Sequence, residues 1–414
     1  MFDRKIIKNI EKYLEKREII ILLWARQVGK TSIMKYFFDI EKKQKLWLNL
    51  DKSSDCDKFS SVEKLMNYLK IEDFDIKKEI VLFIDEFQYC KKSERIFKNI
   101  YDEFKNIKII ASGSSSMDIK NKVQESLAGR KKIFYVYSLD LEEFISWKLI
   151  LSWEKDKLIN FEKFKNIDWK LIDINQKYYN FLHEYMIFWW YPKTVLEENK
   201  VDVLDNIFDL YLKKDILDFL NIKNIIWFKK IVTYLAINNW GQINYTDLSS
   251  FADVDVNTLK SYLEILEETF IIKQVKPFFT NKNKEIIKAP KIYFLDNWVR
   301  NYFIKNFLIN IDLRTDKWEL FEGIVLQEFI KNNIWEIKYW RTKSGVEIDF
   351  LIDNIISLDI FEVKFKNKLK STDFSWLKSF KKKYPDKIKK SFLVWKDREK
   401  GSISIFDLLN KVKN

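Results

Sequence analysis

Short apolar runs recur through the first third of the chain, and helical spacing separates them. Residues 19–24, 45–50, 79–84, 107–112 and 132–137 read as strands, and those at 79–84 and 107–112 are apolar enough for burial on both faces. Residues 1–18, 31–40, 60–69 and 93–104 place apolar side chains at helical period. Strands alternating with helices predict a parallel α/β sheet covered on both faces. From 141 to about 224 the pattern turns helical and aromatic, with no clear strand. Three helical runs follow, 228–237, 245–251 and 256–268, then strand-like runs 271–279 and 285–294. Three helices and a hairpin predict a winged helix. A helix at 320–332 then precedes strand runs 337–341, 347–352 and 357–365.

Composition narrows the class. A chain of 414 residues, 47% of them hydrophobic, exceeds one ordinary core and predicts two to four domains. No apolar run approaches the roughly 18 residues of a membrane span. Residues 1–18 lack the apolar core of a signal peptide. Cys56 and Cys90 alone build neither a disulfide framework nor a zinc site. The expectation is a cytosolic protein with no membrane partner. The net charge is +13, and from Asp359 onward 16 Lys/Arg face 7 Asp/Glu. Such a basic C-terminal region suits DNA or another polyanion; solvated lysine faces are the plain alternative.

The candidate chemistry starts in the first loop. Strand 19–24 runs into Gly29-Lys30-Thr31 and a helix, the layout of the phosphate-binding pattern G-x-x-x-x-G-K-[ST]. The loop Trp24, Ala25, Arg26, Gln27, Val28, Gly29, Lys30, Thr31 and Ser32 is the candidate nucleotide cradle, although Trp24 stands where the pattern has its first glycine. Lys30 is expected on the β/γ-phosphates and Thr31 on Mg²⁺. Strand 79–84 ends in Asp85-Glu86, and open α/β sheets bind ligands at that end of their strands. Asp85 is expected beside the Mg²⁺, and Glu86 is expected to polarise the attacking water; a charged loop is the alternative. Ser114, in the cluster after the next strand, offers a hydroxyl near the γ-phosphate. Arg130, before the last strand, is a candidate finger for a neighbouring chain's nucleotide in a homo-oligomer, or else an ordinary surface arginine. His183 is the only histidine and supports no triad or zinc site.

In this order, ARQVGKT, FIDEFQ, SGSSS and SLAGR resemble the prokaryotic AAA+ ATPases of the archaeal-type ATPase group. The likeness continues through YLKKDI, KAPKIYFLD, YWRTKSGVEIDF and FEVKF, over nearly the whole chain. It implies an α/β P-loop NTPase (AAA+-like) parallel-sheet domain at 1–140, a helical lid at 141–225 and a winged helix at 226–300. A C-terminal α/β restriction-endonuclease-like domain is expected at 301–414. ATP and Mg²⁺ are the implied cofactors. The last region resembles the PD-(D/E)XK nuclease fold: Asp349 ends one strand run, and Glu362 and Lys364 share a face of the next. Asp349 and Glu362 would hold a divalent cation, Lys364 would steer water, and Glu322 would complete the site. A charged, solvated strand face is the alternative.

The presumed recognition helix at 256–268 has one lysine, Lys260, against Glu264, Glu267 and Glu268. That is poor for phosphate contact and leaves a protein-docking role open. Trp24, Trp189, Trp190, Trp298 and Trp318 all fall where the resemblance leads one to expect glycine. The chain has only 7 glycines and 15 tryptophans. Both facts motivate the expectation that the source reads UGA as glycine, which the codons at these positions test.

Overall fold

The computed structural model describes residues 4–23, 28–113, 123–151, 172–188, 191–197, 199–211, 224–238, 241–280, 288–334, 336–342, 344–354, 356–366, 368–396 and 402–412. The chain divides into two compact units, 1–139 with 191–221, and 140–190 with 222–414.

The first unit holds a five-stranded parallel sheet. In chain order its elements are α1 (Lys5–Glu11), β1 (Ile19–Leu23), α2 (Lys30–Ile40), β2 (Gln44–Asn49), α3 (Ser53–Phe59), α4 (Val62–Ile71), β3 (Ile80–Asp85), α5 (Ser93–Glu103), β4 (Ile107–Gly113) and β5 (Lys131–Tyr135), with two further helices at Pro192–Leu196 and Lys200–Tyr211. The spatial order is β2-β3-β4-β1-β5. Every residue of β1 and β3 is buried, so both sheet faces are covered, as their unbroken apolar runs require. Edge strand β2 buries only Leu48. The helix expected at 60–69 is α4, capped by Ser61, which accepts from Lys64 N at 3.1 Å, and α3 before it is an addition to the sequence expectation. Cys56 on α3 and Cys90, with Cα atoms 5.5 Å apart, form a disulfide. The two cysteines build no framework, but they do make one cross-link that spacing alone could not reveal.

The second unit begins with α6 (Leu141–Leu151) and α7 (Ile172–Ile187). Three helices follow, α8 (Ile225–Ile237), α9 (Tyr245–Ala252) and α10 (Val256–Glu268), each opened by an Asn or Asp side chain that accepts from backbone N–H groups. Next come the hairpin β6 (Ile272–Pro277) and β7 (Lys291–Phe294), α11 (Asn297–Phe303), α12 (Lys317–Lys331), β8 (Ile337–Arg341), β9 (Glu347–Asp353) and β10 (Leu358–Lys364). The chain continues with α13 (Ser375–Lys383), β11 (Ile388–Trp395), β12 (Ser402–Ser404) and α14 (Ile405–Val412).

The hairpin does not stand apart. β6 pairs in parallel with β8 at Lys276–Lys338 and Pro277–Tyr339, giving one seven-stranded sheet, β12-β11-β10-β9-β8-β6-β7. The segments expected as 226–300 and 301–414 therefore share a sheet. Elements α13, β11, β12 and α14 are additions to the sequence expectation. The first half of β11 alternates exposed lysine and serine with half-buried residues, which masked its strand character.

Of the tryptophans expected as glycine, Trp24, Trp189 and Trp190 lie outside the described residues. Trp298 is buried at the second position of α11, edge-on to Tyr302 at 6.1 Å. Trp318, in the first turn of α12, is exposed. Neither has positive φ, so the backbone at these two positions does not demand glycine.

Candidate functional site

The parallel register brings the first constellation together. β4 separates β1 from β3, and the C-terminal ends of all three open on the same side of the sheet. Gly29 caps α2 with φ 95°, a conformation that favours glycine over any residue with a Cβ. Arg4 braces this turn, donating to Val28 O at 3.1 Å and Tyr137 O at 2.7 Å. Lys30 opens α2 and is buried. Thr31 Oγ1 donates to Asp85 Oδ2 at 2.9 Å across 54 residues of sequence. The other Asp85 oxygen accepts from the Ser112 hydroxyl and from Glu86 N at 3.1 Å. Asp85 is only 3% exposed, so these contacts fix a carboxylate shielded from bulk water.

Glu86 occupies the left-handed region with φ 53°. A glutamate there carries roughly 1–3 kcal/mol of strain, and such residues cluster at functional sites. Its carboxylate accepts from Gln88 Nε2. Gly113 lets β4 end against this turn: a Cβ there would come within 2.6 Å of the Phe87 ring. Hard oxygens from Thr31 and Asp85 side by side, at a helix N-terminus, are the donor set that Mg²⁺ with phosphate takes. Arg4 is the member that motif reading missed, since nothing local signals it. Ser112, in the serine cluster at the end of β4, is the hydroxyl that reaches Asp85. Trp24, Ala25, Arg26, Gln27 and Ser114 fall outside the described residues. Ser32 is exposed on α2. Arg130 forks onto Asp102 of its own chain, at 2.7 and 3.1 Å.

The second constellation lies in the other unit. β9 and β10 pair antiparallel with Phe350 opposite Phe361, and continuing the register sets Asp349 opposite Glu362. Asp349 Oδ2 accepts from Val363 N at 2.7 Å. Glu362 pairs with Lys364, while its Oε2 is buried with no hydrogen-bond partner. Burial, and then the neighbouring Asp349 carboxylate, push the Glu362 carboxyl well above the ordinary range. The same two causes lift Glu322 to about 7, against the opposing pull of Lys291 and the Tyr293 hydroxyl, which donates to it at 2.5 Å.

All four residues expected here, Glu322, Asp349, Glu362 and Lys364, are thus brought into one electrostatic cluster. The structure adds Lys291, Tyr293 and Glu347. Burial alone would lower the Lys291 pKa, but Glu322, Asp349 and Glu347 outweigh it and hold the ammonium charged. Among the described residues no group of three or more His, Cys, Asp or Glu is arranged to hold a metal ion. His183 packs edge-on to Phe365 at 6.2 Å, and burial lowers its pKa. The exposed lysines of the basic C-terminal region include Lys378, Lys381, Lys382 and Lys383 on α13. No helix of the described residues is long and apolar enough to cross a membrane.

The first unit is a P-loop NTPase fold: a parallel sheet with the phosphate loop after β1 and paired carboxylates after β3. Residues 16–145 match the family described as an AAA domain. Residues 180–308 and 319–409 match two others, Domain of unknown function (DUF8612) and Domain of unknown function (DUF4143). An uncharacterised protein of Methanocaldococcus jannaschii is 25% identical over 393 residues, covering 89% of this chain and 80% of its own. One from Haemophilus influenzae is 22% identical over 373 residues, covering 87% and 86%. Among solved structures, the Walker-type ATPase of Pyrococcus abyssi aligns with a TM-score of 0.45 at 14% identity, over 73% of this chain and 96% of that one. The RuvB Holliday junction branch migration motor of Thermotoga maritima aligns at 0.28 and 15% identity, over 66% and 90%.

Proposed function

We propose that the chain is a Mg²⁺-dependent ATPase of AAA type. The observation that carries this reading is the Thr31–Asp85 hydrogen bond, which joins the phosphate loop to the carboxylate strand at the sheet's ligand-binding edge. Thr31 and Asp85 would hold Mg²⁺, which when bound neutralises charge on the β- and γ-phosphate oxygens. Lys30 pairs with those phosphates, and the N-terminus of α2 presents its N–H groups to them. Glu86 takes the proton from the attacking water once Gln88 releases its carboxylate. Arg130 serves a neighbouring subunit's nucleotide only when a second chain draws it from Asp102. Turnover that rises more than linearly with protein concentration, and loses that rise in Arg130→Ala, is the measure of this arm.

The test is ATP hydrolysis, with and without DNA, on the chain as written and on protein with glycine at 24, 189, 190, 298 and 318. Lys30→Ala abolishes binding, and Glu86→Gln keeps binding but stops turnover. Unchanged hydrolysis in both variants refutes the assignment. Nucleotide binding with no turnover in the parent protein points instead to a scaffold.

A second reading is favoured by the buried, unpartnered Glu362 Oε2 opposite Asp349. An orphaned carboxylate oxygen beside a second carboxylate and a lysine suits a divalent cation and a phosphodiester. In this reading ATP regulates a DNA-binding or DNA-cleaving unit. Asp349 and Glu362 would hold the cation, which would supply Lewis-acid chemistry to the phosphodiester, and Lys364 would orient water. The basic C-terminal region supplies the polyanion contact. Metal-dependent nicking of plasmid DNA, lost in Asp349→Ala, supports it; no nicking at any Mn²⁺ or Mg²⁺ concentration removes it.

A further inference from the structure

The carboxylate cluster of the second unit carries its own cations, and they are unequally placed. Glu322, Glu347, Asp349 and Glu362 face Lys291 and Lys364. Among the described residues Lys364 forms its ion pair with Glu362. Lys291 is 5% exposed and comes from β7, the hairpin strand farthest from β9 in the sheet order. Its ammonium pairs with Glu347 and lies 3.8 Å from Glu322. It also lies 3.5 Å from the Tyr293 hydroxyl, which donates to the same Glu322 oxygen at 2.5 Å. Arg341 reaches the other Glu347 oxygen at 3.5 Å from a half-exposed position, where water screens it.

Glu322 and Glu347 are therefore engaged by protein groups. Glu362, 6% exposed, keeps an oxygen with no hydrogen-bond partner and lies opposite Asp349 in the continued β9–β10 register. A buried polar atom without a partner is costly, so the Glu362 and Asp349 side, countered only by the partly buried Lys364, leaves room for one divalent cation.

We propose that Lys291 is a positioning residue that stands in for a second cation: it holds Glu322 and Glu347 directly and through Tyr293, so the cluster takes a single divalent cation on Asp349 and Glu362. The inference rests on the second reading above, and one titration separates the two. Full-length protein carrying Asp85→Ala, to silence the phosphate-loop site, is titrated without nucleotide with Mn²⁺ to about 1 mM, and free Mn²⁺ is counted by electron paramagnetic resonance. One Mn²⁺ per chain is expected, lost on adding Glu362→Gln. Lys291→Met raises the count to two, and Lys291→Arg restores one. Lys291→Gln, which keeps a polar side chain, gives the same reading as Lys291→Met should that variant not fold, with far-UV circular dichroism as the check. Two ions in the starting protein, or one still in folded Lys291→Met or Lys291→Gln, overturns the role of Lys291 and leaves the cation site standing. No bound Mn²⁺ in the starting protein removes the cation site and this inference together.

Discussion

The two constellations handle buried carboxylate charge in opposite ways. At the phosphate loop, Asp85 is held by hydroxyls and a backbone N–H, from Thr31, Ser112 and Glu86, with no lysine or arginine contact among the described hydrogen bonds of its carboxylate. Dipoles orient this carboxylate without cancelling its charge, which is what the proposed Mg²⁺ site requires. In the second unit the carboxylates are countered by Lys291 and Lys364, which are part of the protein. The difference is one of local sequence as well as charge. The first site is built at the ends of adjacent strands by short motifs, whereas the second draws on α12, β7, β9 and β10.

The sharpest way to break this comparison is at Glu86. Glu86→Gln is expected to lower ATP turnover about 10²–10⁴-fold with little change in nucleotide affinity, read by steady-state hydrolysis beside equilibrium binding of a fluorescent ATP analogue. Asp349→Ala is expected to leave that turnover unchanged in the absence of DNA. Equal loss in both variants means that the sites are not separate.

The next effect is structural. Under oxidising conditions Cys90→Ser is expected to cost the first unit about 3 kcal/mol, measured by denaturant unfolding. With excess reductant the gap closes. A difference that persists under reductant assigns the loss to packing around Cys90 instead of the cross-link.

A smaller effect of about 2 kcal/mol is expected in the second unit at Asp316. Burial opposes ionisation there, but Arg314 and Arg300 overcome it and hold the carboxyl at about 2. Because this pKa lies below the ordinary value, the stabilisation is full above about pH 4 and is lost as pH falls through about 2. Asp316→Asn should be less stable than the parent at pH 6, and the two should converge near pH 2. A constant offset across that range would mean that the ion pairs contribute nothing and that only shape was lost.

Legibility differed between the two regions for a physical reason. Ile19–Leu23, the Gly29-Lys30-Thr31 turn, and Ile80–Asp85 are contiguous strings whose period, burial and turn chemistry are local. Their meaning survives without knowing what lies beside them. Only the β1-β4-β3 order was needed to set Thr31 against Asp85. Asp349, Glu362 and Lys364 were also legible, since alternation along β10 and a short antiparallel connection keep them together. Lys291 was not. It lies 56 residues before Glu347, inside a hairpin that reads as part of a separate winged helix. The disulfide was silent for the same reason: Cys56 on α3 and Cys90 in the turn after β3 are 34 residues apart.

The sequence by itself determined the α/β class of the first unit, the phosphate loop with its paired carboxylates, and the acidic residues within two strands of the second. These follow from hydrophobic period and from residues whose chemistry is tied to their neighbours in the chain. Tertiary structure alone decided that the hairpin joins the C-terminal sheet through β6 and β8, and that Ser112 and Arg4 brace the nucleotide site. It also decided that Lys291 lies among the carboxylates. Such choices depend on which surfaces meet when loops close, and loop-closure cost grows so slowly with length that the chain's linear order does not select among them.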